Sequence, residues 1–552
     1  EPSLLVSGHM FPVYTYYDPM GQYVPLPNAP TLSTQRLLGY NVANDLNTAL
    51  TGKRGAWLVL WQNDVVDPGG FVTTILDTQA KRVPVPQSFW GVDLLHYQIP
   101  PGTVFSDQPQ IQKNVSANFG GQLTLLGYNA PKSPSPSDKG LSITLYWRAQ
   151  QNLQKDYQVA LRVRDADGHL VGELDARPAT YTYPTNRWQA GDVLFGNFVV
   201  PLELATPPGD YQLDVSVYAA DTKEALDVVD IAGNGMGQSV TLQPLAVDRA
   251  TVQPTLTKLK PKHNTHFNFA NTVEMFGFDV DRDRAEPGEA INVTLYWRAL
   301  TTPKDDYRVA FQVLRGANVE DTFGGDPPVP LVTGYPTTSW RQGDIVRARY
   351  TFYVPTDAQP GDRAFRLLVL DHSSKPLSAA VGLGDLHIDP STRAFRPPPV
   401  RIVDVARFGG TIQLYGYDIA PAPVMTSTVA GVVNLSPSQP LKVTLYWRSL
   451  QRVRASYSVF IHLLREAASP VAAQRDGVPV NGQHPTNTWV PGEFIADSYD
   501  ITLPRDMPRG TYIIEVGLYD PRTGGRLPLQ ATSTSNPSFV SAWPLGVKVV
   551  VR

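Results

Sequence analysis

The chain holds 552 residues, 42% of them hydrophobic and 18% charged, a globular composition with room for three to five domains. Its 47 basic and 50 acidic residues leave a formal charge of −3 with no long basic run, which argues against nucleic acid as a partner. Cysteine is absent, so disulfides, thiolate metal sites and cysteine nucleophiles are excluded.

Glycine (43) and proline (50) exceed ordinary usage without a short period, as expected of many turns between many short strands. No stretch reaches the run of about eighteen apolar residues that a membrane helix needs. The first residue is Glu1, not methionine, and no signal peptide follows, so the chain reads as a processed or excised piece. Membrane attachment is therefore expected only through a segment absent from it.

Residues 1–108 differ from the rest. Ser3-Leu-Leu-Val-Ser-Gly8 and Gly55-Ala-Trp-Leu-Val-Leu-Trp61 are continuous apolar runs, expected of strands buried on both faces. Phe71-Val-Thr-Thr-Ile-Leu76 has helical spacing, and Phe89 to Tyr97 reads as a further strand. This alternation predicts a small, partial α/β domain.

From residue 109 a repeat takes over, and the expected copies are 109–250, 251–396 and 397–552. Its signature is Leu141-Ser-Ile-Thr-Leu-Tyr-Trp-Arg148, Ile291-Asn-Val-Thr-Leu-Tyr-Trp-Arg298 and Leu441-Lys-Val-Thr-Leu-Tyr-Trp-Arg448. The tryptophans stand at 147, 297 and 447, a pitch of 150 residues that suits a domain and is too long for a solenoid unit. Each copy has a second tryptophan (Trp188, Trp340, Trp489) before a Gly-Asp or Gly-Glu turn, then a long alternating strand beginning at Gly209, Gly361 or Gly510. Short alternating strands between turns predict three tandem immunoglobulin-like antiparallel β-sandwiches, making the chain mainly β. Tyr417 to Leu445 spans 28 positions against 17 for Tyr128 to Leu145, and the extra Pro-, Ser- and Val-rich material within 420–439 reads as an enlarged loop. Pro-rich joints at 254–261 and 396–400 predict semi-rigid spacers.

Alternation turns Ile143, Leu145 and Trp147 to one face and Thr144, Tyr146 and Arg148 to the other. The tryptophan shares its face with aliphatics and is read as a core anchor, with a sugar-stacking platform as the alternative. Candidate binding residues are therefore the outward pairs Tyr146 and Arg148, Tyr296 and Arg298, Tyr446 and Arg448. A cross-strand stabilising role competes with binding for these pairs. Trp188, Trp340 and Trp489, beside turns, either line a loop rim that stacks sugars or plug the sandwich end. The sequons at Asn114, Asn292 and Asn434 mark Asn292 as a candidate glycan acceptor on an outward face.

Catalytic patterns are missing. No histidine spacing, phosphate-binding loop or nucleophile elbow occurs, and no catalytic residue, metal or cofactor is expected. Asp165-Ala-Asp-Gly168 resembles half a calcium loop without its closing acid, and a hairpin turn accounts for it. His9, Asp64 and Asp67 follow strand ends, a weak signal without a nucleophile.

The run Leu4-Leu-Val-Ser-Gly-His-Met-Phe-Pro12 with Trp57-Leu-Val-Leu-Trp-Gln-Asn-Asp-Val-Val-Asp-Pro68 resembles the stretch after the last membrane helix of large bacterial polytopic glycosyltransferases, those similar to dolichyl-phosphate-mannose mannosyltransferases. The Leu-Tyr-Trp-Arg modules, with Tyr512-Ile-Ile-Glu-Val-Gly-Leu-Tyr-Asp-Pro521, Gly524 and Leu527, resemble the β-sandwich tails of such proteins. In that family the catalytic acids lie in the membrane domain, so the resemblance carries no catalytic residue to this chain. It implies a non-catalytic extracytoplasmic arm that binds or positions glycan or a partner protein at the cell surface. The alternative is a structural surface subunit that self-associates through sandwich edges.

Overall fold

The computed structural model describes residues 1–7, 11–17, 19–21, 23–28, 37–229, 237–323, 328–426, 429–453, 455–466, 469–521, 525–530 and 541–552. The chain forms two compact units. One comprises 1–260 with 332–335 and 343–347; the other comprises 261–331, 336–342 and 348–552. Among the described residues no helix is long and apolar enough to cross a membrane.

The first domain is a five-stranded sheet. Its elements in order are β1 (Ser3–Ser7), α1 (Phe11–Tyr17), β2 (Tyr23–Leu26), α2 (Val42–Leu50), β3 (Gly55–Trp61), α3 (Phe71–Gln79), β4 (Lys81–Val83) and β5 (Asp93–Gln98). The strand order is β2-β1-β3-β5-β4, with β2, β1 and β3 parallel and the last two antiparallel. Helices α2 and α3 bury Val42, Leu46, Val72 and Leu76 in one core with Leu4, Val6, Leu58 and Leu60. The apolar run of β3 is not buried on both faces as its sequence suggests. Trp57, Val59 and Trp61 are only half-buried, and Trp57 stacks on its cross-strand partner His96 at 4.3 Å.

The first sandwich contains β6 (Lys113–Phe119), β7 (Leu123–Asn129), β8 (Ser135–Pro136), β9 (Leu141–Ala149), β10 (Tyr157–Arg164), β11 (Leu170–Ala176), β12 (Val193–Val200), β13 (Gly209–Ala219), β14 (Val228–Val229), β15 (Val240–Thr241) and β16 (Leu245–Asp248). One sheet runs β12-β9-β7-β6-β14, the other β11-β10-β13-β16-β8. The short β8 runs parallel to the last strand β16 in an otherwise antiparallel arrangement. Two more pairs of sheets follow, over 263–388 and 402–551, with the same arrangement of main strands. The chain is thus mainly β, with three tandem immunoglobulin-like sandwiches.

The extra residues of the third copy are not a loop. They form strands Val424–Thr426 and Val429–Leu435, and Val432–Leu435 pairs in parallel with Lys548–Val551. This segment takes the place of the two-residue β8, because Val433 and Leu435 alternate into the core at 2% exposure.

The strand before each sandwich closes carries a further device. Tyr211 and Tyr512 each donate a hydroxyl hydrogen bond of 2.6 Å to the carbonyl four residues earlier, Pro207 and Pro508. This is the tyrosine corner of immunoglobulin-type folds. In the second copy Arg363 occupies that position, buried to 2% exposure; it donates to the Gln359 carbonyl at 2.7 Å and pairs with Glu320. Glu320→Gln strips the buried guanidinium of its charge partner and should cost about 1–2 kcal/mol, discounted because Glu320 is partly exposed. Arg363→Tyr restores the corner and should cost under about 1 kcal/mol; chemical denaturation of both variants checks the pair.

Candidate functional site

Each signature tryptophan lies in a core. Trp147, Trp297 and Trp447 are fully buried, against Phe119, Phe269 and Phe408 respectively at 5.8–6.0 Å between ring centres. The core reading therefore holds, and the platform reading fails for want of an exposed ring face.

The outward tyrosines are tied down as well. Tyr296 and Tyr446 donate to the carboxylates of Asp279 (2.8 Å) and Asp418 (3.0 Å). Those same side chains accept the backbone amides of Lys262 (2.5 Å) and Arg401 (2.8 Å), clamping the first strand of the sandwich to the second. Beside each clamp the second strand bulges at Gly127, Gly277 or Gly416. A Cβ at Gly127 would lie 2.2 Å from the Lys113 carbonyl oxygen, so the close approach admits only glycine.

The arginines share no common role. Arg298 pairs with Glu274, and Arg448 lies over the Phe494 ring at 5.4 Å. Arg148 is exposed and has no ion pair among the described residues. The three Tyr–Arg pairs thus do not form three equal ligand sites.

The loop-rim reading of the second tryptophans gives way to the end-plug reading. Trp188, Trp340 and Trp489 are at most 1% exposed, which leaves no face for a sugar to stack on. The indole N–H donates to the Tyr183 carbonyl at 3.1 Å and, in the third copy, to the His484 carbonyl at 3.0 Å. A buried threonine three residues earlier staples the plug. The hydroxyl of Thr185, Thr337 or Thr486 accepts the amide of Tyr157, Tyr307 or Tyr457 at 2.6–2.9 Å. Each hydroxyl also donates to a carbonyl, of Lys155, Asp305 or Ala455, at 2.6–3.0 Å.

The remaining expected residues are structural or scattered. Asp67 is buried and caps α3, accepting the amides of Phe71 (2.7 Å) and Val72 (3.0 Å); burial pushes its carboxyl up to about 6. Asp64 is exposed, and His9 lies outside the described residues. Asp165 accepts the amides of Asp167 (3.0 Å) and His169 (2.8 Å), as a turn between β10 and β11 requires. Asn114, Asn292 and Asn434 all lie exposed on strands. The Asn292 amide is held by Asp281 at 2.8 Å, which occupies the nitrogen a glycan would need.

Two features are better candidates, the first around Tyr146, which the sequence itself offers, and the second beside the Pro-rich joint at 396–400. The first is a pocket of about 370 Å³ between the α/β domain and the first sandwich, lined by Tyr40, Thr78, Gln79, Gln112, Asn129 and Tyr146 among others. Tyr146 is covered here because Phe195 of β12 packs on it at 6.1 Å and on Phe71 of α3 at 5.5 Å. A polar run, Gln108-Pro-Gln-Ile-Gln112, was the available sequence signal.

The second feature is the joint after the second sandwich. Arg393 reaches Glu286 on one side (3.3 Å) and Glu493 with the Thr488 carbonyl on the other (2.9 and 3.0 Å). The backbone continues the joint, the Phe494 amide donating to the Ala394 carbonyl at 2.7 Å. Gly288 sits so close to Val490 and Phe395 that a Cβ would lie 2.8 and 2.9 Å from them.

Burial raises the pKa of Glu493, but His484, the Val490 amide and Arg393 together hold it below the usual carboxylate range. Its folded pKa lies under its unfolded value of 4.5, so its stabilisation is complete above that pH and is lost as pH falls below it. Melting curves between pH 7 and 3 should therefore show a steeper acid loss for the native chain than for Glu493→Gln.

No family model matches the chain, and no curated protein matches it. Among solved structures, a Niemann-Pick type C2 protein from Japanese carpenter ant is 10% identical, covers 22% of this chain and 100% of its own, and gives a TM-score of 0.16. The D0–D1 domain of Intimin is 12% identical, covers 48% of this chain and 98% of its own, and gives a TM-score of 0.13. Likenesses at such scores say nothing of function, and the fold is read from the chain's own sheets.

Proposed function

We propose that the chain is a non-catalytic, extracytoplasmic arm of a membrane glycosyltransferase-like protein, holding glycan or a partner protein at the cell surface in a fixed geometry. The observation that carries this reading is the filled joint. Contacts between domains within a chain ordinarily permit relative motion. Here Arg393, 16% exposed at its side chain, bridges acids of two consecutive sandwiches, and Phe395 fills the space beside Gly288. In the other unit the α/β domain and the first sandwich share one continuous core. A part that positions something needs such joints. The sequence resemblance supplies the membrane-enzyme setting.

Spin labels at the exposed positions Asp357 and Arg505 test the joint. A narrow distance distribution is expected, broadened by Arg393→Ala. A broad distribution in the native chain sinks the fixed-arm reading.

A further inference from the structure

The three copies differ at one atom of the tyrosine clamp, and the difference leaves one tyrosine hydroxyl free to donate. In the second and third copies the clamp residue is aspartate, whose carboxylate accepts the tyrosine hydroxyl's hydrogen bond (Asp279 from Tyr296, Asp418 from Tyr446). In the first copy it is Asn129. Its Oδ1 accepts the Gln112 amide at 2.7 Å, and its Nδ2 donates to the Gln110 carbonyl at 2.9 Å. Those two backbone partners fix which way the amide points, because an N–H only donates and a carbonyl only accepts. The same Nδ2 therefore donates to the Tyr146 hydroxyl at 2.8 Å, and Tyr146 becomes an acceptor. Its own proton is left unspent, at the wall of the 370 Å³ pocket.

A second phenol stands beside it. Tyr40 lines the same pocket and packs its ring on Phe71 at 5.0 Å, and its hydroxyl makes no hydrogen bond among the described residues. Burial pushes both phenols up, so each stays a neutral hydroxyl donor throughout the working pH range. The rest of the wall is amide and hydroxyl, from Gln79, Gln112 and Thr78 among others, together with Ile75 and Ile111, and it has no Lys, Arg, Asp, Glu or His. Such a wall offers many neutral donors and acceptors and nothing to neutralise a charge. Its volume falls within the range of about 300–1,000 Å³ usual for small-ligand sites.

We propose that this pocket binds a neutral saccharide unit, with Tyr146 and Tyr40 donating to its hydroxyl oxygens and the side-chain amides completing the contacts. The proposal rests on the glycan half of the function proposed above and locates it in the first copy alone. An anionic ligand such as a phosphate would enter without a cation to meet it, at a cost in desolvation.

Calorimetry on the full chain tests this, with a panel of neutral mono- and oligosaccharides as probes and inorganic phosphate and glucuronate as charged controls. A neutral saccharide is expected to bind at one site per chain, and the charged probes are not. Tyr146→Phe should weaken binding about three- to tenfold, the worth of one neutral hydrogen bond. Asn129→Asp should weaken it at least as much, because the carboxylate would accept the tyrosine's O–H hydrogen bond; the fold should tolerate it, because aspartate fills that place in the other copies. Failure of every neutral saccharide to bind, or preferential binding of a charged probe, overturns the proposal. Saccharide binding that both variants leave unchanged overturns it for this pocket. A narrow spin-label distribution across the Arg393 joint would still stand in each of these cases, so the two readings fail separately.

Discussion

Truncating Trp147, Trp297 or Trp447 to alanine is expected to destabilise the sandwich that holds it by about 3–5 kcal/mol, since each leaves a large void in a closed core. The more discriminating change is to phenylalanine. Among the described residues the indole N–H groups of Trp147 and Trp297 have no acceptor, so phenylalanine there gives up packing but no hydrogen bond. Trp447 differs, because its N–H donates to Asp497 at 3.3 Å. Asp497 is fully buried, and burial raises its carboxyl against the pull of the Val480 amide, Tyr499 and Trp447. The strand register explains the difference: Asp497 stands across from Leu445, whereas in the first copy Gly196 stands across from Leu145. Trp447→Phe should therefore cost about 1–2 kcal/mol more than Trp147→Phe, because it leaves a buried acceptor one donor short. Chemical denaturation of the two variants in the full chain measures the gap, and equal costs would refute this account of Asp497.

Thr185→Val, Thr337→Val and Thr486→Val form the second set, each expected to cost about 2–3 kcal/mol. Valine keeps the shape of threonine but takes the partner from the amide at the head of the next strand and from a part-buried carbonyl two residues before it. Threonine at these positions is 0–1% exposed, so water cannot replace the lost partner. The matching serine variants keep the hydroxyl and should cost about 1 kcal/mol or less. If valine were the milder change, the staple would contribute less than the methyl group.

The inward turn of Trp147 was legible because it depends only on the period of its own strand. The burial of Tyr146 was not, since what covers its face is Phe195, about fifty positions further on, together with the α/β domain. Trp188 shows the same limit: a tryptophan beside a turn suits a rim or a plug equally until the Thr185 staple fixes its direction. In the third copy, Val429-Ala-Gly-Val-Val-Asn-Leu435 carries strand alternation, but the Pro and Ser around it masked the signal. The exchange of Asn129 for aspartate is visible in the aligned copies, yet its consequence needs the hydrogen bonds of Gln110 and Gln112. Arg363 reads as a surface charge until its place in the tyrosine corner is seen. The junction pocket is lined by residues drawn from five separate segments, an arrangement that periodicity cannot register.

The thrice-repeated residues are invested in the fold, which leaves the proposed ligand chemistry to the junction of the first domain and first copy. Hydrogen exchange of the indole N–H protons, read by NMR on the full chain, tests it most directly. Trp147, Trp188, Trp297, Trp340, Trp447 and Trp489 should exchange slowly, in contrast to Trp90, which is 100% exposed. Their shifts should also stay unmoved by saturating saccharide. Exchange as fast as that of Trp90, or indole shifts in all three copies on adding saccharide, would contradict the account.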